Sequence, residues 1–461
     1  MEEAQNGVFL NGKESAMKSF GTRALVACTS LLLAAEQASA QYSSPNLLPL
    51  PAVTAVDAVT ASYDLPSGGM DPYGSVFTSN RQQPVPTQTP DAIIPGANGE
   101  SQFQQSVASE WGDSSGCAAG CAESCEAGCG GGWFGGIGGL AMGRNRANGY
   151  WTTFETNNNV NQLMNTQDAG DDWTGGWQFT GGYMFGGGGC AAPSCGGVPF
   201  MGCGGASGPG IGVTYWGLGQ MNGFSEINSA TNELSTPMNL QTQTGDVEIN
   251  GVPVGDYWDN SASHRIYRND RVNNFELNGL LGAWNYGRLT VLPFVGFRYF
   301  RFDERLTFQG LAGGGDWQDP NDWAALQNRM VNNLYGFQVG TYANYMLLER
   351  FGWFIGPKVG VYANQMNGRT LLYDGNGNVA YDIASHKSDF SMMAEIDTGF
   401  TYFWRPNVFT YIGYRVVGIS NIALSDNQYL PFLADEQGFG QVKENGSLIL
   451  HGVMMGGGFT F

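Results

Sequence analysis

Met392-Met393-Ala394-Glu395-Ile396-Asp397-Thr398-Gly399-Phe400-Thr401-Tyr402-Phe403-Trp404 alternates between two textures. One parity carries Met392, Ala394, Ile396, Thr398, Phe400, Tyr402 and Trp404; the other carries Glu395, Asp397, Gly399 and Thr401. Successive side chains of a β-strand point to opposite faces, so this stretch has one face suited to hydrocarbon and one suited to water. The same period of two recurs in 335–345, 353–363 and 289–299. A soluble barrel also alternates but turns its apolar parity inward, so the connections have to choose between the two. Three are very short: Asn285-Tyr286-Gly287, Glu349-Arg350 and Arg405-Pro406-Asn407. Between them lie long polar stretches near 310–330, 374–387 and 425–446. Tight turns alternating with long loops is the pattern of outer-membrane barrels.

Extended backwards, the pattern predicts strands near 133–146, 173–185, 210–222 and 273–285. The expected fold is all-β: an antiparallel transmembrane outer-membrane β-barrel of about ten strands. A further pair within 147–156 and 262–268 would make twelve. An even count returns both chain ends to one side, the periplasm, with the loops outside. The last residues, Phe459-Thr460-Phe461, end an alternating strand on an aromatic. They form a candidate signal for the barrel assembly machinery.

Composition agrees. Glycine contributes 70 of 461 residues, roughly twice the usual share, while charged residues at 13% are about half the usual share and aromatics also reach 13%. Mean hydropathy is −0.20, as expected of strands wet on one side and greasy on the other. A formal charge of −19 excludes nucleic acid as a partner, since phosphate binders need a basic surface. Beyond the leader no stretch approaches the roughly 18 apolar residues of a membrane helix. Only a closed barrel then satisfies the backbone in lipid.

The leader lies within 1–40. Lys18 and Arg23 precede an apolar run, Ala24–Ala35, and Ala38-Ser39-Ala40 offers a cleavage site, with Met17 an alternative start. Residues 41–110 are rich in Pro, Ser and Gln without apolar period, and read as a flexible, disordered periplasmic arm. A cysteine-rich segment, 111–132, separates the arm from the barrel, 133–461. Cys117, Cys121, Cys125 and Cys129 fall there; Cys190, Cys195 and Cys203 fall in the turn-side connection 186–209. In an oxidising compartment these seven are disulfide candidates, and the odd one out suits a bond to another envelope protein. Four-residue spacing is not the paired pattern of zinc modules, so no metal site is assigned.

The opening strand Trp133-Phe134-Gly135-Gly136, the large mid-chain loop and the closing strand from Leu450-His451-Gly452-Val453 to Phe461 resemble the beta-barrel porin 7 family, mainly planctomycete envelope proteins. The likeness covers roughly 130–461. It implies an outer-membrane barrel and brings no catalytic residues.

With the apolar parity on lipid, Glu276, Asn278, Arg298, Gln338, Asn344, Lys358, Glu395, Asp397 and Arg415 face the lumen. Mixed charge there suits either an open pore or internal struts, because small barrels fill their interiors with side chains. Inward glycines, Gly296, Gly340, Gly360, Gly399 and Gly413, either leave space or relieve crowding. Two functions follow: porin-like passive transport of small solutes, or a structural or interaction protein with a plugged lumen and a disulfide-linked arm. Trp353, Trp404, Tyr402, Tyr411 and Trp284 are expected at the membrane interface. His386 with Asp382 and Asp389 is the best acid–base cluster available. No nucleophile, phosphate-loop or metalloprotease motif accompanies it, so neither enzyme activity nor a cofactor is expected.

Overall fold

The computed structural model describes residues 132–145, 148–170, 173–185, 208–241 and 245–461. The leader, the arm and all seven disulfide candidates lie outside the described residues.

Ten antiparallel staves close into a barrel. They are β1 (Gly132–Arg144), β2 (Thr174–Met184), β3 (Gly210–Leu218, continued as Met221–Asn228), β4 (Ser263–Leu280), β5 (Leu289–Leu311), β6 (Trp323–Leu348), β7 (Phe351–Asp374), β8 (Val379–Arg405), β9 (Val408–Ile422) and β10 (Gly446–Thr460). Each pairs with its neighbour in sequence, and β1 pairs with β10, from Phe134 opposite Thr460 to Arg144 opposite Leu450. Closure removes every edge, so no ladder group is left to hydrocarbon. Connections 349–350 and 406–407 are two-residue turns at the end that also holds Gly132 and Thr460. At that end too, Gly287 takes φ +63° in the turn between the short Trp284–Tyr286 strand and β5, a conformation glycine adopts freely.

The outer face carries the apolar parity. Phe337 is 73% exposed and Phe390 76%; rings that large and that bare belong against lipid rather than water. The outward positions of β5, from Leu289 through Val295 and Phe297 to Tyr299, are apolar, and the inward ones include Thr290 and Arg298. Trp133, Trp284, Trp353, Tyr402 and Trp404 are exposed near the short-turn end, where amphipathic rings mark an interface. Tyr411 does not join them. It stands on the inward parity of β9, buried, with its hydroxyl over Gly138.

Two expected loops are partly strand. β5 runs to Leu311 and β6 starts at Trp323; β7 and β8 continue to Asp374 and from Val379, so only 375–378 turns between them. The reason is an inversion of parity. Above Tyr299 the outward residues become Arg301, Asp303 and Arg305, while Phe300, Phe302, Leu306 and Phe308 are buried inside. β8 spans 27 residues, roughly 90 Å of strand at ~3.3 Å per residue, against an apolar band only about 25 Å tall. The staves therefore stand well beyond the membrane, as a soluble-type barrel with its grease inside. Of the extra pair, 151–155 joins a separate small sheet with 158–165 and Leu234–Ser235, whereas 263–268 is the upper part of β4.

Candidate functional site: the barrel interior

The interior is layered. At the base, Phe134, Met184, Leu280, Leu292 and Phe294 pack together. Above them sits an ionic layer whose charged groups come from five staves. Arg298 of β5 donates to Glu395 of β8 at 2.6 Å, and Lys358 of β7 reaches Glu395 at 2.8 Å and Glu276 of β4 at 3.3 Å. Arg415 of β9 grips Asp397 of β8 through two hydrogen bonds of 2.7 and 2.9 Å, the bidentate geometry that guanidinium and carboxylate favour. Gln338 of β6 donates to both Glu276 and Asn278 at 2.9 Å. Three cations thus face three carboxylates. Partners as remote in the ladder as β5 and β8 meet only across the barrel's inside. Asn344 lies lower, its amide directed at Met346 Sδ.

Water reaches almost none of this layer. Lys358 is 4% exposed, Glu395 and Asp397 3%, Arg298 and Arg415 1%, and Glu276 0%. A lumen wide enough for a solute would leave these side chains wetted. Aromatic rings close over the cations instead: Tyr342 lies 5.7 Å from Lys358 Nζ and Trp216 5.3 Å from the Arg415 guanidinium carbon. The inward glycines do not open space, because neighbouring side chains lie across them. The Phe294 ring covers Gly340, the Tyr362 ring Gly360, Phe354 Gly413 and Asn278 Gly296, while Gly399 and Gly413 bring two staves close together.

An apolar layer follows, including Trp216, Val272, Phe300, Phe302 and Leu334. A second ionic layer, which sequence reasoning missed, lies above it: Arg144 bonds Asp270 at 2.6 Å and Glu304 at 2.7 Å, and Arg268 bonds Glu304 and Asp426, both at 2.5 Å. Asp426 comes from the connection 423–445, which is thereby drawn into the mouth; Ser425 N also donates to Glu304 at 2.6 Å. Tyr257, Trp258, Tyr429 and Leu433 from two connections roof the mouth over Phe308, Leu326 and Leu372. The two connections pair with each other through Asn239 and Leu433. The parity inversion at Tyr299 is the sequence signal for this upper floor, since Glu304 falls on the same inward parity as Arg298.

His264 is packed into the same roof. Its Nδ1 meets the Thr153 hydroxyl at 2.8 Å, its ring stands edge-on to Phe308, and burial pushes its pKa down to about 3. The trio His386, Asp382 and Asp389 does not assemble: Asp382 is taken by Arg369 on the outer wall, and Asp389 is on the opposite parity from both others. His451 lies on the outer face, bonded to the Tyr414 hydroxyl. Among the described residues no group of three or more His, Cys, Asp or Glu is placed to hold a metal. Phe459 and Phe461 are exposed at the short-turn end, ring against ring.

The fold therefore defines the class: a transmembrane β-barrel of the outer-membrane type, with a filled interior. No protein-family model matches the chain, and no curated protein is significantly similar to it. Solved structures of similar architecture include the outer membrane protease OmpT of Escherichia coli (11% identity, 72% of this chain and 96% of that one, TM-score 0.32). A major outer membrane protein from Thermus thermophilus (11%, 72% and 99%, TM-score 0.26) and the toluene transporter TodX of P. putida (9%, 72% and 89%, TM-score 0.22) are others. At scores this low the likenesses carry no weight for function, which rests on the barrel's own geometry.

Proposed function

We propose that this chain is a sealed outer-membrane barrel with a structural or interaction role, holding a rigid platform of long connections outside the cell and its N-terminal arm in the periplasm. The observation that carries this reading is the neutral, dehydrated layer of Arg298, Lys358, Arg415, Glu276, Glu395 and Asp397 across the inside. Porin-like passage of small solutes is the weaker reading, because it requires that layer, the second ionic layer and the roof all to part. The seven cysteines of the segment 111–132 and of the connection 186–209 suit covalent links to envelope neighbours, and the Phe459–Phe461 ending suits recognition by the barrel assembly machinery. Resemblance to the beta-barrel porin 7 family is compatible with this role.

Conductance in planar bilayers is the direct test. Purified protein is expected to insert without unitary current steps at any voltage. Reproducible steps from the full-length chain would overturn the sealed reading in favour of transport.

A further inference from the structure

The outer wall just beyond the apolar band holds a concentration of arginine that the rest of the molecule does not lead one to expect. The chain carries a net charge of −19, yet five guanidinium groups gather on adjoining staves: Arg271 of β4, Arg301 and Arg305 of β5, Arg329 of β6 and Arg369 of β7. Arg305 stands directly opposite Arg329, and Arg329 directly opposite Arg369. Like charges opposed across strands destabilise a sheet, so this row calls for a counter-charge. Two carboxylates supply part of it. Asp303 accepts from Arg329 at 2.7 and 2.9 Å and from Arg301 at 3.1 Å, and Asp382 is held by Arg369. Arg271 and Arg305 are exposed and form no salt bridge among the described residues.

Position gives the cluster a meaning. On β5 the outward apolar run ends at Tyr299, whose ring stacks on that of Tyr335 of β6 with centroids 4.9 Å apart. Arg301 is the next outward residue above Tyr299, and Asp303 and Arg305 follow. Stacked tyrosines mark where hydrocarbon ends, so the arginines sit at the depth of the headgroups. The wall there is indented. A cleft of about 90 Å³ is bounded by Arg271, Arg305, Arg329, Asp303, Asn269 and Gln220. A larger groove of about 360 Å³ lies between Arg301, Arg329 and Arg369, with Val331 and Gly368 in its floor.

We propose that this surface binds the phosphate groups of a phosphorylated lipid headgroup, held between Arg271, Arg305 and the Arg301–Arg329–Arg369 groove. The guanidinium fork matches a phosphate's paired oxygens, the apolar band directly below accepts the acyl chains, and an anion between Arg305 and Arg329 relieves their repulsion. The inference rests on the chain being membrane-embedded.

The test uses the full-length protein in a nonionic detergent, titrated with diphosphoryl lipid A, with the same lipid stripped of phosphate, with phosphatidylcholine and with inorganic phosphate. Native mass spectrometry and thermal unfolding are the readouts. The diphosphoryl lipid should bind about tenfold or more tightly than its dephosphorylated form, and Arg271→Gln/Arg305→Gln should remove that preference, each basic residue near an anionic surface being worth about one factor of several. These two arginines hold no salt bridge, so the lipid-free melting temperature should stay near wild type. Asp303→Asn, which takes away the competing carboxylate, should strengthen binding. Equal binding of both lipid A forms, or an unchanged preference in the double variant or in Asp303→Asn, overturns the site. Protection by millimolar inorganic phosphate equal to that by the lipid overturns the lipid assignment in favour of a free-anion site. Flotation with phosphatidylcholine vesicles keeps the underlying reading separate: a chain that fails to insert refutes the membrane barrel, whereas one that inserts without the arginine-dependent preference refutes this site alone.

Discussion

Lys358→Met asks whether the barrel interior is dry. Lys358 contributes one of three positive charges set against three negative ones, contacting Glu395 at 2.8 Å, Glu276 at 3.3 and 3.4 Å and Asp397 at 3.9 Å. Methionine retains the length and most of the volume, so packing is nearly unchanged and the loss is electrostatic. Removing one partner from a buried ionic cluster leaves an uncompensated charge, at a cost of about 3–5 kcal/mol. The lower end applies here, near 3 kcal/mol by that same range. Glu395 keeps Arg298 at 2.6 Å, and Glu276 keeps the amides of Gln338 and Asn274. Adding Glu276→Gln restores neutrality and should return more than half of the loss, a coupling of ~1.5 kcal/mol or more for groups in direct contact. Urea unfolding of the barrel in micelles, followed by the shift of folded barrel on unheated gels, measures both numbers. A single variant within about 0.5 kcal/mol of wild type, with Glu276→Gln merely additive, would mean that Lys358 is solvated. The sealed interior would then be wrong.

Other expectations follow from the same geometry. His264 lies above the apolar band with a pKa lowered by burial from 6.5 to about 3, so protons bind the unfolded chain more readily than the folded one. Its contribution is complete above pH ~6.5 and declines as pH falls toward ~3, by about 1.4 kcal/mol per unit. His264→Gln, which keeps a partner for Thr153, should flatten that acid decline, and parallel pH–stability curves for variant and wild type would refute it. Gly399→Val should abolish folded barrel on unheated gels, because the added Cβ meets the Ile412 carbonyl and Gly413, whereas Gly418→Ala, with open space outside, should fold normally. Asp426→Ala should release the connection 423–445 from Arg268 and quicken its proteolysis, yet leave planar-bilayer current at zero because the lower ionic layer still closes the lumen.

Strand period and turn length are local properties, which is why alternation such as that of 392–404, with short turns such as Glu349-Arg350 and Arg405-Pro406-Asn407, set the class of fold, a count of about ten staves and the outward greasy face. A period of two also put Glu276, Arg298, Lys358, Glu395, Asp397 and Arg415 on one parity. Partner choice is not local. Arg298 and Glu395 are 97 residues apart and Arg144 and Glu304 160, and only closure of the cylinder decides which charges meet. The same holds for glycine: a missing side chain reads as space along one strand, yet the space belongs to whichever neighbour turns into it, as the Phe294 ring does over Gly340. Tyr411 shows the limit in miniature, since an aromatic near a turn suits an interface until its parity sends it inside. The tall upper wall stayed hidden because its code is inverted: past Tyr299 the solvent changes from hydrocarbon to water, the favourable face for apolar residues switches sides, and a strand then looks like a polar loop.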